Sequence, residues 1–531
     1  MAVFVPTGGH GRTVSIVTVL TFAVSVFGYI REATLASRFG VSATMDAYFG
    51  AILIPYTLYL IVVVGTLSPI FIPILLQESG SRDRERVSEA FSVVTTFTLI
   101  LVIVVVAFSM MTARQWLPWL FPGFTRETNA MLLRLVYLIY PAVVFLTLAG
   151  IFTAVLNGFH KFALAAITPA IASVAVITAA LLARGNRAIY MVGTATTIGF
   201  VLQFVVLLPA VAGLGIRYRP VFNFRHPAII QVLRLGGPLF LYLVVSSTSA
   251  ILERNLASRL SAGAISAVTY AMRLFTVPAN FLAAPLAIVS YPLFAREGIK
   301  ENRGNLRNQL SRTLRFVVII FLPITVLLIL NAFPLTRLLY ERGQFHTQDS
   351  LLISHVLALY SIGILPNAIA VILLRCFFAI QDTVTPLVAE TINLGFYIVA
   401  ATWLAHRFGI QGLAVARAIT FFLVVTIFIF VLWKRRELLS IDLDLLSLFA
   451  RVSVASLVMG VVNWSALHAL QSSFASGNTL QRLALLGTVV GLSGTTFLGV
   501  ARLLKLGETT AILKTIFGLL PLDYIRGLQW F

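Results

Sequence analysis

Charge is what this sequence has least of. Asp, Glu, Lys and Arg together make up 11% of 531 residues, while 59% are hydrophobic; a soluble domain is about a quarter charged. With a mean hydropathy of +0.96, the chain cannot hide its apolar surface in its own core, which excludes a soluble globular domain and leaves the bilayer as its solvent. Acidic residues are the scarcest, 19 against 39 Lys and Arg, for a net charge of +20. Cysteine occurs once, at Cys376. An internal disulfide is thereby excluded, and the thiol reads as a small packing residue. Also missing are a Walker loop, any zinc-ligand spacing and a nucleophile elbow. The sequence therefore predicts no enzyme, no cofactor and no metal site, and no motor of its own to drive transport.

What it has instead is long apolar runs. Continuous runs of roughly 20 residues point to helices, because barrel strands are shorter and alternate. Six fall near 14–37, 46–76, 88–112, 130–158, 162–183 and 188–213. Six more fall near 229–258, 264–295, 313–334, 351–379, 384–405 and 410–433, and a last pair near 444–469 and 479–504. The expected fold is an all-α polytopic membrane protein of about fourteen spans. The second and eighth spans exceed what a bilayer needs and carry Gly65, Pro69, Pro278 and Pro285, so bends are expected there. The N-terminal run lacks a small-residue cleavage site and reads as the first helix.

The basic residues form no soluble basic domain, so nucleic acid is not the expected partner. They crowd alternate gaps: Arg82, Arg84 and Arg86; Arg217, Arg219 and Arg225; Arg296, Lys300, Arg303 and Arg307; Lys434, Arg435 and Arg436. The other gaps are sparser, and "HALQSSFASGN" has no Lys or Arg. By the positive-inside bias the dense set is cytoplasmic, which puts both termini in the cytoplasm and gives these arginines membrane lipids as neighbours.

The chain also repeats itself. "LASR" occurs at Leu35 to Arg38 and again at Leu256 to Arg259, with Glu32 and Glu253 each three places before it. At about the same offset, "AILIP" ending at Pro55 faces "LFTVP" ending at Pro278, and "SPIFIPIL" (Ser68 to Leu75) faces "VSYPLFA" (Val289 to Ala295). Further on, Thr168-Pro169 faces Thr385-Pro386. Ordered matches at one offset imply two homologous six-span halves. Six is even, so the halves share one orientation, enclose a central cavity and open it to either side in turn. The expected division is 1–220, 221–438 and an added pair of helices with a tail over 439–531.

Arg31 and Glu32 interrupt the first apolar run. An arginine at a helix centre costs about 2.5–3.5 kcal/mol on insertion scales and normally faces a cavity or a partner. Arg273, in "TYAMRLFTVP", breaks the eighth run in the same way; Glu253, Arg254 and Arg259 accompany the seventh, and Asp46 opens the second. If the halves pack as the repeat implies, Arg31 and Arg273 converge on one cavity. Guanidinium is a permanently charged, forked donor matched to phosphate oxygens. For Arg38 and Arg259 the alternative is snorkelling at helix ends, and for Glu32 it is neutralising Arg31. His10 and His160 receive no role.

The stretches "GYIREATLASRFGVSATMDAYFGAILIP", "LERNLASRLSAGAISAVTYAMRLFTVP", "ERGQFHTQDSLLISHVLALYSIGILP" and "RCFFAIQDTVTPLVAETINLGF" resemble the MurJ/MviN family, bacterial lipid II flippases of peptidoglycan synthesis within the multidrug/oligosaccharidyl-lipid/polysaccharide exporter superfamily. The resemblance implies two six-helix lobes plus two C-terminal helices, and a cationic cavity for the diphosphate of an undecaprenyl-linked precursor. It assigns substrate contact to Arg31, Asp46 and Arg273, and the charge pattern adds Arg38, Arg254 and Arg259 as further candidates. It implies a lipid-tail groove on the last two helices and, in some members, a cation site whose nearest counterparts here are Glu253 and Asn393. Location in the bacterial cytoplasmic membrane is implied as well; with no motor of its own, the chain is expected to draw energy from ions, the membrane potential or the substrate gradient, and to act as a monomer. The sequence departs from the pattern at Ser25, Tyr59-Leu60, Val64 and Met272, where the family carries more charge or polarity. Three readings therefore stand beside lipid II: another polyprenyl-diphosphate glycan, a cationic drug, which an acidic cavity would suit better, and a scaffold without transport.

Overall fold

The computed structural model describes residues 10–61, 63, 84–223, 226–299, 303–435, 437–439 and 443–506. Val64, Gly65, Pro69, the Ser68 to Leu75 repeat, Arg82, Arg225, Lys300 and Arg436 lie outside them, as does the C-terminal tail. Among the described residues the regular structure is helical throughout, with no strand. Among the described residues nine helices are long and apolar enough to cross a membrane, or up to eleven if each of two bent pairs counts as one span. No more than half of any of the nine is buried inside the protein. The rest of each span is still apolar, and only lipid can cover it.

The helices divide into two compact units, Met1–Tyr270 with Tyr340–Asp349, and Ala271–Leu339 with Ser350–Phe531. In the first unit, the Ala188–Ala212 helix packs on Pro169–Leu182 and Ala142–Gly158, and the first helix, His10–Phe39, packs on Pro169–Leu182. Close approach uses small residues: a Cβ on Gly199 would stand 2.7 Å from the Cα of Ala172. A core of Val87, Phe91, Val94, Phe152, Val155 and Leu207 joins Ala142–Gly158 and Ala188–Ala212 to the Arg84–Met111 helix.

The segment 216–223 runs along the Arg84–Met111 helix, held by a ladder of hydroxyls. Ser88 accepts from the Arg217 amide at 3.2 Å, Ser92 from Arg219 at 3.0 Å and Thr96 from Val221 at 3.5 Å. Four helical residues rise about 6 Å and two extended residues about 6.6 Å, so hydroxyls at i, i+4 and i+8 meet alternate amides in register.

In the second unit, Leu443–Ala469 packs against Thr479–Leu503 and Arg303–Leu330. A buried amide clasp joins all three. Asn331, just past the end of Arg303–Leu330, donates Nδ2 to Asn463 Oδ1 at 3.1 Å, and Asn463 donates Nδ2 to Ser493 Oγ at 2.9 Å. The helical run Val384–Phe430 spans 47 residues. At 1.5 Å per residue that is about 70 Å, far more than one bilayer. Gly409, at φ 58°, breaks it into the two spans expected on either side. A side chain on Gly412 would overlap the Leu404 carbonyl, so the reversal is tight.

The repeat is visible in the irregularities. Arg126–Ile139 and Ala142–Gly158 meet at 43°, and Thr347–Ser361 and Ile364–Ala379, about 220 residues later, meet at 46°. A wide π-helical turn follows Pro278 over Ala279–Ala283, and another covers residues 60, 61 and 63 after Pro55. Both turns fall in the second and eighth spans, where the sequence led irregularity to be expected; Gly65 and Pro69 lie outside the described residues.

Candidate functional site

Arg31 lies eight residues before the end of the first helix. Its Nη2 donates to Glu32 Oε1 at 2.8 Å; the Glu32 side chain is 3% exposed and that of Arg31 25%. Adjacent helical residues diverge, so the guanidinium curls back to reach its neighbour and keeps part of its surface open. Ser25, one of the departures from the family pattern, returns its hydroxyl to the Thr21 carbonyl at 3.0 Å.

Asp46 sits in the first turn of Ala43–Tyr59, a helix capped by Ser42. It is 2% exposed. Oδ2 accepts from the Gly263 amide at 2.6 Å and Oδ1 from the Ser266 amide at 2.7 Å. These amides open the Ala264–Pro278 helix, so Asp46 caps that helix from 217 residues away, where a carboxylate satisfies orphan donors and complements the dipole. The backbone can come this close because Gly263 adopts φ +90°, and a Cβ there would stand 2.6 Å from Val41. Tyr270, fully buried on the same helix, is boxed by Phe49, Tyr340 and Phe345 with ring centroids 5.1–6.0 Å away.

The two "LASR" copies have a structural counterpart. The Gln344 amide donates to the Ser37 carbonyl at 2.8 Å, and Gly343 lies so close that any side chain would overlap that carbonyl. Gly123 meets the carbonyl of Ser258 in the same way. Ser37 and Ser258 hold the same place in the two repeats, and each is covered by a glycine loop from the other half of the sequence. Sequence reasoning saw the repeated serines and missed the glycines, whose partners lie 135 and 306 positions away by residue number.

Of the other expected residues, Arg38 is exposed and donates to the Ala183 carbonyl at the end of Pro169–Leu182. Arg254 is half-buried and donates Nη1 to Ala250 O at 3.1 Å; Glu253 is 1% exposed and Arg259 is exposed. Arg31, Arg38, Asp46, Glu253, Arg254 and Arg259 belong to the first unit, and Arg273 and Asn393 to the second. Arg273 is exposed. Asn393 is buried and donates Nδ2 to Glu390 Oε1 at 3.3 Å. Near it, Arg417 is buried with its guanidinium 4.1 Å over the Tyr397 ring and within electrostatic reach of Glu390. Arg417 was not singled out from sequence, although a cation inside "GLAVARAITFF" is the same signal that marks Arg31. Among the described residues no group of three or more His, Cys, Asp or Glu is placed to hold a metal ion. What the site offers chemically is fixed guanidinium charge within apolar helices, suited to phosphate oxygens.

A family model described as lipid II flippase MurJ matches residues 35–485. The chain is 25% identical over 492 residues to a probable lipid II flippase MurJ of Buchnera aphidicola subsp. Schizaphis graminum (strain Sg), covering 91% of this chain and 94% of that one. It is 27% identical over 510 residues to the lipid II flippase MurJ of Burkholderia cenocepacia, covering 92% and 96%. A solved structure of lipid II flippase MurJ in an inward closed conformation superposes with a TM-score of 0.77 at 25% identity, covering 92% of this chain and 98% of that one.

Proposed function

Because the chain belongs to the lipid II flippase MurJ family, we propose that it flips lipid II, the undecaprenyl-diphosphate-linked peptidoglycan precursor, across the bacterial cytoplasmic membrane from inner to outer leaflet. As a multi-pass member of a transporter family it has the architecture the task needs. The diphosphate is the obstacle, since its charge must cross a low-dielectric layer. The observation that carries the reading is Arg31, a guanidinium in an apolar helix, steadied by a buried carboxylate and still partly open. The curated relatives are named for lipid II, so another polyprenyl glycan, a drug or a scaffold is not favoured.

In this reading the halves 1–220 and 221–438 alternate access to a shared cavity, with 439–531 attached, through fourteen spans in all and with both termini cytoplasmic. Arg31 and Arg273 hold the diphosphate, and Arg38, Arg254 and Arg259 extend the cationic lining. Asp46 keeps the eighth helix in position and meets substrate only when its cap on that helix is released. Glu253 and Asn393 are the groups nearest a coupling cation, with the membrane potential as the other energy source. The protein acts as a monomer on a lipid-linked oligosaccharide, with no cofactor and no catalysis.

Complementation tests this. In a bacterium depleted of its own lipid II flippase, the chain should restore growth, and Arg31→Ala or Arg273→Ala should abolish rescue at unchanged membrane levels. No rescue by the intact, membrane-inserted chain would sink the lipid II assignment.

A further inference from the structure

We propose that the turn between the last two helices, with Arg337 and Arg482, is a binding site for the phosphate of a membrane-lipid headgroup. Leu443–Ala469 and Thr479–Leu503 are both long enough and apolar enough to span, so residues 470–478 between them lie at a membrane surface. The turn has no Lys or Arg of its own, yet two guanidiniums are brought onto it. Arg337 donates Nη1 to the Phe474 carbonyl at 3.5 Å from 137 positions away. Arg482 donates Nε to the same oxygen at 3.1 Å. Two cations on one neutral acceptor stand side by side and concentrate positive potential there.

Three features make this a lipid site and not only an anion site. The last helix begins at the turn, and its N-terminus, closed by the Asn478–Gln481 capping box, adds a positive dipole end. Leu338, Phe474 and Leu486 form a buried apolar cluster at the turn, with the partly buried Leu335, Leu467 and Leu470 packed against it. Leu480 and Leu483 expose their side chains on either side of Arg482. Guanidiniums beside exposed leucines suit an amphiphile, with phosphate on the charge and hydrocarbon along the apolar side chains. The shape is fixed as well: a Cβ on Gly477 would stand 2.7 Å from the Ser473 carbonyl. Two sources share this chemistry, an anionic glycerophospholipid and a polyprenyl diphosphate. The site stands whether or not the chain flips lipid II.

The test uses the full chain, delipidated in detergent and titrated in native mass spectrometry. The probes are phosphatidylglycerol, undecaprenyl diphosphate, diacylglycerol and inorganic phosphate. At least one phosphate lipid should bind and diacylglycerol should not, and the tighter of the two phosphate lipids identifies the source. Arg337→Gln with Arg482→Gln should weaken binding about tenfold or more, as expected for lost charge-assisted hydrogen bonds, while the double Lys variant retains most of it. Equal binding by the folded Gln pair would overturn the site and leave the arginines as caps of the turn. Inorganic phosphate binding as tightly as the lipids would overturn the lipid assignment. If the Gln pair does not fold, a headgroup-diazirine phosphatidylglycerol and the matching diphosphate are crosslinked to the wild-type chain. Label within residues 467–486 supports the site, and label from both probes falling only elsewhere overturns it.

Discussion

Gly343 lies against the carbonyl of Ser37 with no room for a side chain between them. The glycine also holds φ +61°, so an added methyl would meet both overlap and a left-handed backbone. Gly343→Ala is expected to cost about 1–3 kcal/mol and to lower the unfolding midpoint in detergent. Gly123→Ala should match it through the overlap at Ser258 alone. Gly395→Ala, a helical position with open space around it, should leave the midpoint unchanged or raise it slightly. Equal midpoints for all three would mean that the glycine contacts are incidental.

Asp46 and the Gly263 and Ser266 amides give a graded series. Asp46→Ala leaves two helix-opening donors without their acceptor and should cost about 1–2 kcal/mol. Asp46→Asn keeps one acceptor but loses the charge facing the dipole, and should fall between Ala and wild type. Circular dichroism melts order the three; Asn behaving like Ala would assign the effect to charge alone.

Arg31 and Glu32 allow stability and function to be separated by mutation. Arg31→Ala leaves a buried carboxylate without the guanidinium that now holds it and should destabilise by about 1–3 kcal/mol. Adding Glu32→Gln should recover much of that stability without restoring growth in complementation. Recovery of growth by the double variant would remove Arg31 from substrate contact.

The hydroxyl ladder predicts a local effect. Ser92→Ala removes the acceptor of the Arg219 amide, at about 1 kcal/mol, and should speed hydrogen exchange across 216–223. Thr96→Val, which also loses the Tyr218 hydroxyl contact at 3.1 Å, should do the same. Exchange confined to its wild-type rate in both would show that the segment is held by something else.

The fold was legible in proportion to how local its signals are. Apolar runs disclose spans because lipid demands about twenty apolar residues whatever the neighbours, and Pro278 announced an irregular turn because a proline disturbs its own helix. The repeated serines were legible, but not their use, since the bulk that forbids a side chain at Gly123 comes from Ser258. Asp46 shows the other limit. A carboxylate at the mouth of a span reads as a polar site, and only the fold reveals two amides of another helix within reach. Arg417 was readable in principle. Its burial over Tyr397 depends on the hairpin at Gly409, which sets two spans side by side.

The amide clasp of Asn331, Asn463 and Ser493 bears on how the last two helices move. Each bond is buried, and opening it would strip polar atoms bare where no water can replace the partner. The final pair is therefore coupled to Arg303–Leu330 as one mechanical piece. A tilt of that helix would swing the two terminal helices with it, and would carry along as a passenger any lipid seated at their turn.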